Sequence, residues 1–267
     1  MFFFPEALPG HPQSRCLLAR LTHLALVTPL APRPIATAYA TEGTGETPVL
    51  LLHGFDSSLL EFFCLFPRLA HDHPTWAVDM LGFGFTERPP DLDLSAQTVR
   101  CHLHRFWQER IAKPVLLIGA SMGGASAIDF ALHHPECVRG LVLIASVGFS
   151  FGPLFTRYLF PPFDWLAVEF WRQLKHRISF EGVSEREVLL AEAARLLALH
   201  THLPGWHAAL IRFAASRGYE FLTPHIGRIR QPTLILWGER DAMLGTEDAE
   251  KFHRTIEGSR LVWLPDC

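Results

Sequence analysis

A serine flanked by glycines is the strongest chemical signal in the sequence. Residues 119–124 have the sequence GASMGG, so Gly119 and Gly123 each stand two positions from Ser121. The apolar run at residues 115–118 predicts a strand before this segment, and a predicted helix follows it. In a tight turn from strand to helix, side chains at the two glycine positions would collide, and the serine hydroxyl is presented at the positive end of the helix dipole. The segment therefore predicts that Ser121 is a nucleophile.

A second motif, His53-Gly54-Phe55, directly follows the apolar run at residues 49–52. A loop at the end of such a strand directs backbone N–H groups toward a nucleophile on a neighbouring strand. We therefore predict that the backbone amides of Phe55 and Met122 form an oxyanion hole and that Gly54 permits the turn. His53 stands just before the turn, and we predict that it braces the loop and takes no part in the chemistry.

Short apolar runs that recur along the chain predict the strands of a sheet. Near-continuous apolar strands are typical of parallel strands covered on both faces, and their alternation with amphipathic segments predicts an α/β fold with a doubly wound, mostly parallel sheet. A helix capped by Ser95 is predicted after the second strand, and the glycine turn at residues 79–86 is predicted to shape the loop beside the site. The predicted strands are residues 49–52, 76–78, 115–118, 141–144, 233–237 and 260–264.

The strand pattern stops between residues 149 and 225, where the sequence predicts helices. We expect an inserted helical cap at 149–225 on a core formed by residues 1–148 and 226–267. Residues 149–221 hold 14 of the 31 aromatic residues, a concentration that would line an apolar pocket or pack the cap onto the core. Two features indicate helices here. Four apolar residues fall on one face of a helix, namely Phe163, Leu166, Phe170 and Leu174, and Ser184 with Glu187 has the pattern of a capping box.

Composition and charge exclude several classes of function. The formal net charge is −3, with 24 basic and 27 acidic residues spread along the chain, so no nucleic-acid partner is predicted. No apolar stretch is long enough for an integral membrane segment. The five cysteines have no metal-ligand or CxxC spacing, which indicates free thiols and a cytoplasmic location. No phosphate-binding loop or dinucleotide motif is present, so no cofactor and no metal are predicted.

Taken together, the motifs at residues 53–55, 79–86 and 119–124 resemble those of the α/β-hydrolase superfamily, over about residues 20–267. Within it the chain is similar to the cap-bearing branch of esterases, carbon–carbon bond hydrolases, epoxide hydrolases and dehalogenases. The serine at position 121 argues against the last two, which use aspartate. The resemblance implies that Asp241, in the sequence WGERD, is the acid that orients a catalytic histidine, with Glu239 as the weaker alternative.

The histidine is where the sequence departs from the family pattern. The resemblance places it in a Gly-His pair directly after the strand that follows the acid, and here residues 260–264 are followed by 265–267. None of the fifteen histidines occupies that place, and His253 falls within a predicted helix. We expect a truncated chain that lacks this histidine and the family's last core helix. A natural inactive relative and a substitute histidine from the cap are the alternatives.

The resemblance implies a serine hydrolase that cleaves an ester or a related acyl bond of a small to medium apolar substrate through an acyl-enzyme. Without the histidine the chain would be nearly inactive. Thioester and carbon–carbon bond cleavage use the same groups and stay open. The competing hypothesis is a ligand-binding protein of the same fold that has no catalytic activity.

Overall fold

An eight-stranded sheet organises the chain in the computed structural model, which describes residues 10–149, 164–177 and 184–267. The strands lie in the order β1-β2-β4-β3-β5-β6-β7-β8. β1 pairs with β2 and β2 with β4 in antiparallel fashion, and all other pairs are parallel. The predicted mostly parallel α/β sheet is thereby confirmed. The strands are β1 (Thr22–Leu26), β2 (Ile35–Glu42), β3 (Val49–Leu52), β4 (Thr75–Val78), β5 (Val115–Ala120), β6 (Val138–Ile144), β7 (Thr233–Gly238) and β8 (Arg260–Leu264).

Helices cover both faces of this sheet. Alternate side chains of β3 enter different apolar clusters, Leu50 and Leu52 on one face and Val49 and Leu51 on the other. Burial on both faces explains why the parallel strands are almost continuously apolar. Within the described ranges the helices are α1 (Pro12–Arg20), α2 (Leu65–Ala70), α3 (Ala96–Arg110), α4 (Met122–His133), α5 (Asp164–Arg177), α6 (Glu185–Leu199), α7 (Trp206–Ala215) and α8 (Glu247–Thr255).

The sequence pattern does not predict β1 and β2, because neither strand contains an apolar run. β2 has the sequence IATAYATE and lies between β1 and β4, where its small residues Thr37, Ala38 and Ala40 are buried. β1 is an edge strand, and four of its five residues are at least partly exposed. The sequence predicts the other six strands. Two of these predictions have the observed bounds, and the other four are shorter than the observed strand by one to three residues.

The helices predicted between β6 and β7 are present, although part of the segment lies outside the described residues. Ser184 caps α6 in a capping box with Glu187, as predicted. On α5, the shared apolar face of Leu166, Phe170 and Leu174 is exposed, Phe170 by 71%, while the buried residues are Val168 and Lys175. The fourth predicted member of that face, Phe163, falls outside the described residues.

A buried carboxylate ties α6 to the start of the described chain. Glu192 is 2% exposed and accepts hydrogen bonds from the Gly10 amide at 3.0 Å and from the Ser14 hydroxyl. Arg195 completes the contact at 2.7 Å. No helix of the described residues is long and apolar enough to cross a membrane.

An ion pair joins the two long helices on one face of the sheet. Arg100 on α3 donates to both carboxylate oxygens of Asp129 on α4, at 2.8 and 2.9 Å. The Asp129 side chain is 1% exposed and that of Arg100 is 18% exposed. Removing one member of such a pair leaves a buried charge without its partner.

We therefore expect Asp129→Ala to lower the free energy of unfolding by about 3–5 kcal/mol. The measurement is urea denaturation, in which the midpoint should fall while the slope stays the same. The control is Glu42→Ala, which breaks an exposed pair with Arg20 and should change stability by about 1 kcal/mol at most. Equal losses in the two variants would contradict the assignment.

Candidate active site

Ser121 lies in a strained turn between β5 and α4. Its φ is +51° and its ψ is −117°, outside the conformations that non-glycine residues ordinarily adopt. Its amide donates to the Ile144 carbonyl at 2.9 Å, and its carbonyl accepts from the amides of Gly124 at 3.0 Å and Val147 at 3.1 Å. These bonds fix the serine at the carboxyl edge of the sheet with its side chain only partly buried.

The two glycines of the motif sit where no side chain fits. A Cβ on Gly123 would lie 2.0 Å from the Leu52 carbonyl oxygen, at the end of β3. A Cβ on Gly119 would lie 2.2 Å from the Gly123 carbonyl oxygen. Real Cβ atoms do not approach oxygen this closely, so glycine is required at both positions for α4 to begin against the end of β3.

The loop after β3 contacts the serine turn. A Cβ built on Gly54 would meet the Ser121 Cβ at 3.5 Å, so the backbone of this loop lies against the nucleophile candidate. His53 is fully buried and accepts the Met80 amide at Nε2, 3.1 Å away, which leaves Nδ1 to donate to the Gly54 carbonyl at 2.8 Å. Burial lowers the pKa of His53 to about 3, so its ring is neutral at pH 7 and links two loops.

Two buried carboxylates hold this loop and the short turn after it: Asp79, which begins the predicted glycine turn at residues 79–86, and Glu61, which belongs to no predicted motif. Both oxygens of Glu61 lie 3.1 Å from the Gly54 nitrogen, and burial raises the pKa of Glu61 to about 7. Asp79, at the start of the predicted glycine turn, accepts the amides of Leu59 at 2.5 Å and Phe85 at 2.6 Å. Asp79 could have been found from the sequence because it directly follows a predicted strand. Glu61 could not, because it lies in a short helical turn that no sequence motif marks.

Asp241 lies in the turn after β7, at the same edge of the sheet as Ser121. Its Oδ1 accepts the amides of Met243 at 2.8 Å and Leu244 at 2.9 Å. The backbone after β8 folds against this turn, since the Arg240 amide donates to the Cys267 carbonyl at 2.6 Å. The residues that follow β8 therefore lie beside the turn that holds Asp241. Glu239, the alternative acid, is exposed.

No histidine joins these two residues. All fifteen histidines lie in the described part of the chain, and none forms a hydrogen bond with Ser121 or Asp241. His253 lies in α8, as predicted, and bonds to Ser259. His200 and His207, which lie between β6 and β7, bond to Asp56 and Glu169.

Within the part of the chain that the structure describes, one group of side chains has the types of metal ligands at close range. Ligand atoms of His104, Glu136 and Cys137 lie within 4.8 Å of one another. They lie on α3 and just before β6, at the opposite end of the sheet from Ser121. Burial, together with Glu136, raises the pKa of the Cys137 thiol to about 12. The Cys137 thiol donates to Glu136 Oε1 at 3.4 Å, so a hydrogen bond accounts for the contact between these two residues.

The comparisons with known proteins agree with this architecture. The model of the alpha/beta hydrolase family matches residues 49–267. The alpha/beta hydrolase domain-containing protein VTE7 of Arabidopsis thaliana is 31% identical over 83% of this chain and 68% of its own length. A 2-hydroxy-6-oxo-6-(2'-aminophenyl)hexa-2,4-dienoic acid hydrolase of Metapseudomonas resinovorans is 28% identical, over 87% and 81% of the two chains. The thermophilic esterase of Thermogutta terrifontis superposes with a TM-score of 0.73 at 23% identity, over 92% and 90% of the chains.

A mostly parallel sheet with a strained turn between a strand and a helix at its carboxyl edge is typical of the α/β-hydrolase fold. The chain belongs to the alpha/beta hydrolase family. Its relatives include lipases, esterases and meta-cleavage product hydrolases, and it is accordingly a hydrolase by family.

The tight approach at Gly123 yields a direct test of the turn. Gly123→Ala should push α4 away from β3, destabilise the protein by about 1–3 kcal/mol and displace the Met122 amide. The matched control is Gly227→Ala, whose Cβ meets Thr255 only at an ordinary 3.5 Å. Thermal unfolding of both variants checks this expectation. If the Gly123 variant were as stable as the Gly227 variant, the turn would have space for a methyl group at position 123, and the expectation would be wrong.

Proposed function

We propose that this protein is a serine hydrolase that cleaves an ester or a related acyl bond of a small to medium apolar substrate. The observation that carries the proposal is the strained backbone of Ser121 at the start of α4. Strain of this kind persists only where the surrounding structure holds it, and it is concentrated at functional sites. A serine that only occupied an ordinary glycine turn would not require a strained backbone.

The proposed roles combine the positions of Ser121 and Asp241 at one edge of the sheet with the histidine that the family resemblance implies. Ser121 Oγ attacks the acyl carbon while a histidine takes its proton, and the amides of Phe55 and Met122 receive the oxyanion. The alcohol then leaves with that proton, and water releases the acyl group by the same route in reverse. Asp241 orients the histidine and stabilises its charged form. Gly54, Gly119 and Gly123 shape the backbone, and His53 braces the loop.

The substrate class is supported by the insert and by the relatives. We infer that residues 149–225 form a lid over a core of residues 1–148 and 226–267. Phe213 on α7 packs against Phe55 with the ring centroids 6.2 Å apart, so the insert adds apolar surface beside the proposed oxyanion hole. Relatives are named as lipases of Psychrobacter immobilis and Moraxella, which favours an apolar ester. The hydrolase of Metapseudomonas resinovorans supports carbon–carbon bond cleavage as the variant chemistry.

A second candidate function is binding of an apolar ligand without turnover. The observation that favours it is that none of the fifteen histidines forms a hydrogen bond with Ser121 or Asp241. A serine without a general base is a weak nucleophile, so a protein in this arrangement could still bind an apolar ligand but would lose most of the rate. The two candidates differ in covalent chemistry at Ser121.

The nucleophile is tested by mass spectrometry of the protein as its source produces it. We expect a fluorophosphonate to add covalently to Ser121, and Ser121→Ala to abolish the adduct and the hydrolysis of 4-nitrophenyl esters. The control is Ser259→Ala, which removes a hydroxyl bonded to the exposed His253 and should label as the wild type does. Wild-type protein that binds apolar ligands but acquires no adduct would favour the binding function.

The acid is tested by Asp241→Asn. The amide retains an oxygen for the Met243 and Leu244 amides, so the turn should persist, but the charge that supports the histidine is lost. We expect kcat to fall by about 10²–10⁴-fold with little change in KM. Glu239→Gln provides the comparison, because Glu239 is exposed and should be dispensable. A large loss in the Glu239 variant with none in the Asp241 variant would transfer the role to Glu239.

A further inference from the structure

A buried carboxylate stands directly beside the proposed oxyanion hole. Asp56 follows Phe55, is 1% exposed and has a positive φ of 48°. A charge is tolerated in the interior only where other groups hydrogen-bond to it. The partners of Asp56 therefore determine how this loop is held.

Among the described residues, four side chains donate to Asp56, and all four belong to the segment of helices between β6 and β7. On α5, Trp171 Nε1 and Lys175 Nζ each lie 2.7 Å from Oδ2. Oδ1 accepts from His200 Nε2 at 3.1 Å and from Trp206 Nε1 at 2.7 Å. His200 directly follows α6 and Trp206 begins α7, so all three inserted helices meet on one carboxylate of the core.

Lys175 makes this contact a buried ion pair. It is 3% exposed and also donates to the backbone carbonyl of Asp56 at 2.7 Å. Burial opposes the charge of Asp56, but Lys175 and the hydrogen bond from His200 outweigh it and hold the pKa of the carboxyl below its ordinary value. Burial lowers the pKa of His200 to about 4, so His200 donates as a neutral ring at pH 7.

We propose that Asp56 is a positioning residue that couples docking of the inserted helices to the geometry of the oxyanion hole. The proposal rests on the proposed function, because it takes the Phe55 amide as a donor to the oxyanion. Contacts to both the side chain and the backbone oxygen of Asp56 hold the strained residue next to Phe55. When α5 to α7 move away from the core, the carboxylate loses all four donors and the loop loses its support.

The coupling has a kinetic consequence. An oxyanion-hole donor acts in the transition state, so its displacement lowers kcat far more than it raises KM. A displacement of about 1 Å is enough to cost on the order of 100-fold in rate. The hydrolase would therefore reach its full rate only with the insert docked, and an apolar substrate held beneath the insert would favour that state.

The first test uses NMR and does not depend on activity. In the protein as its source produces it, the indole N–H resonances of Trp171 and Trp206 are assigned with Trp171→Phe and Trp206→Phe. Asp56→Asn should shift both resonances upfield and speed amide exchange at residues 55–58 by at least about tenfold, because the carboxylate acceptor is lost. Glu192→Gln is the matched control, since it changes another buried carboxylate of the insert and should leave both indoles and the loop unchanged. Unchanged indoles and exchange in Asp56→Asn would overturn the proposal.

The second test separates a positioning role from a purely structural one. At a temperature where every variant is folded, Asp56→Asn should lower kcat and the rate of fluorophosphonate labelling about 10–100-fold, with KM within about threefold. Glu192→Gln should remain within about threefold of the wild type in all three quantities. If the loop loosens in Asp56→Asn while kcat and labelling stay at wild-type values, Asp56 only stabilises the fold and the positioning role is wrong.

Milder variants cover the case in which Asp56→Asn does not fold. Trp206→Phe and Trp171→Phe each remove one donor and keep an aromatic ring, and each should lower the labelling rate about 3–10-fold. Rates unchanged in both would count against the proposal. If the wild-type protein is neither labelled nor active, the proposed hydrolase function fails by itself, and amide exchange at residues 55–58 in these variants still decides whether the insert holds the loop.

Discussion

The rest of the site depends on how closely α4 approaches the end of β3. There is space for a hydrogen atom and nothing larger between Gly123 and the Leu52 carbonyl, so the helix begins against the strand end. The chain can enter that helix only through a residue with positive φ, which is Ser121. One steric constraint thus places the serine, the first amide of α4 and the loop after β3 at a common point above the sheet.

Much of this arrangement follows from local sequence. The parallel strands are apolar because both faces are covered, and glycine is conspicuous where a Cβ would collide, so β3 to β8 and the turn at Ser121 were predictable. β1 and β2 were not, because Ala and Thr side chains bury well in a sheet without an apolar run. The exposed face of α5 was also beyond prediction, since periodicity locates a helix face but does not say what packs against it.

The polar framework around the site was mostly invisible in the sequence. Asp56, Glu61 and Asp79 bond to groups that are distant along the chain or belong to the backbone, and neither kind of partner leaves a pattern in the residues. Asp241 was accessible only through a family motif, because an aspartate after a strand is common. The sequence shows that a residue is Asp or Glu, but the groups that bond to its carboxylate are determined by the complete fold.

The contact of Glu192 with Gly10 and Ser14 joins residues more than 170 positions apart. A pairing of that separation closes a very long loop, and its entropy must be overcome before the contact contributes anything. During synthesis, the N-terminal helix emerges from the ribosome long before its carboxylate partner exists. The contact between α1 and α6 is therefore expected to be among the last to form, so in a growing chain the apolar cluster that contains Leu17 and Phe66 stays incomplete until Leu196 has been made.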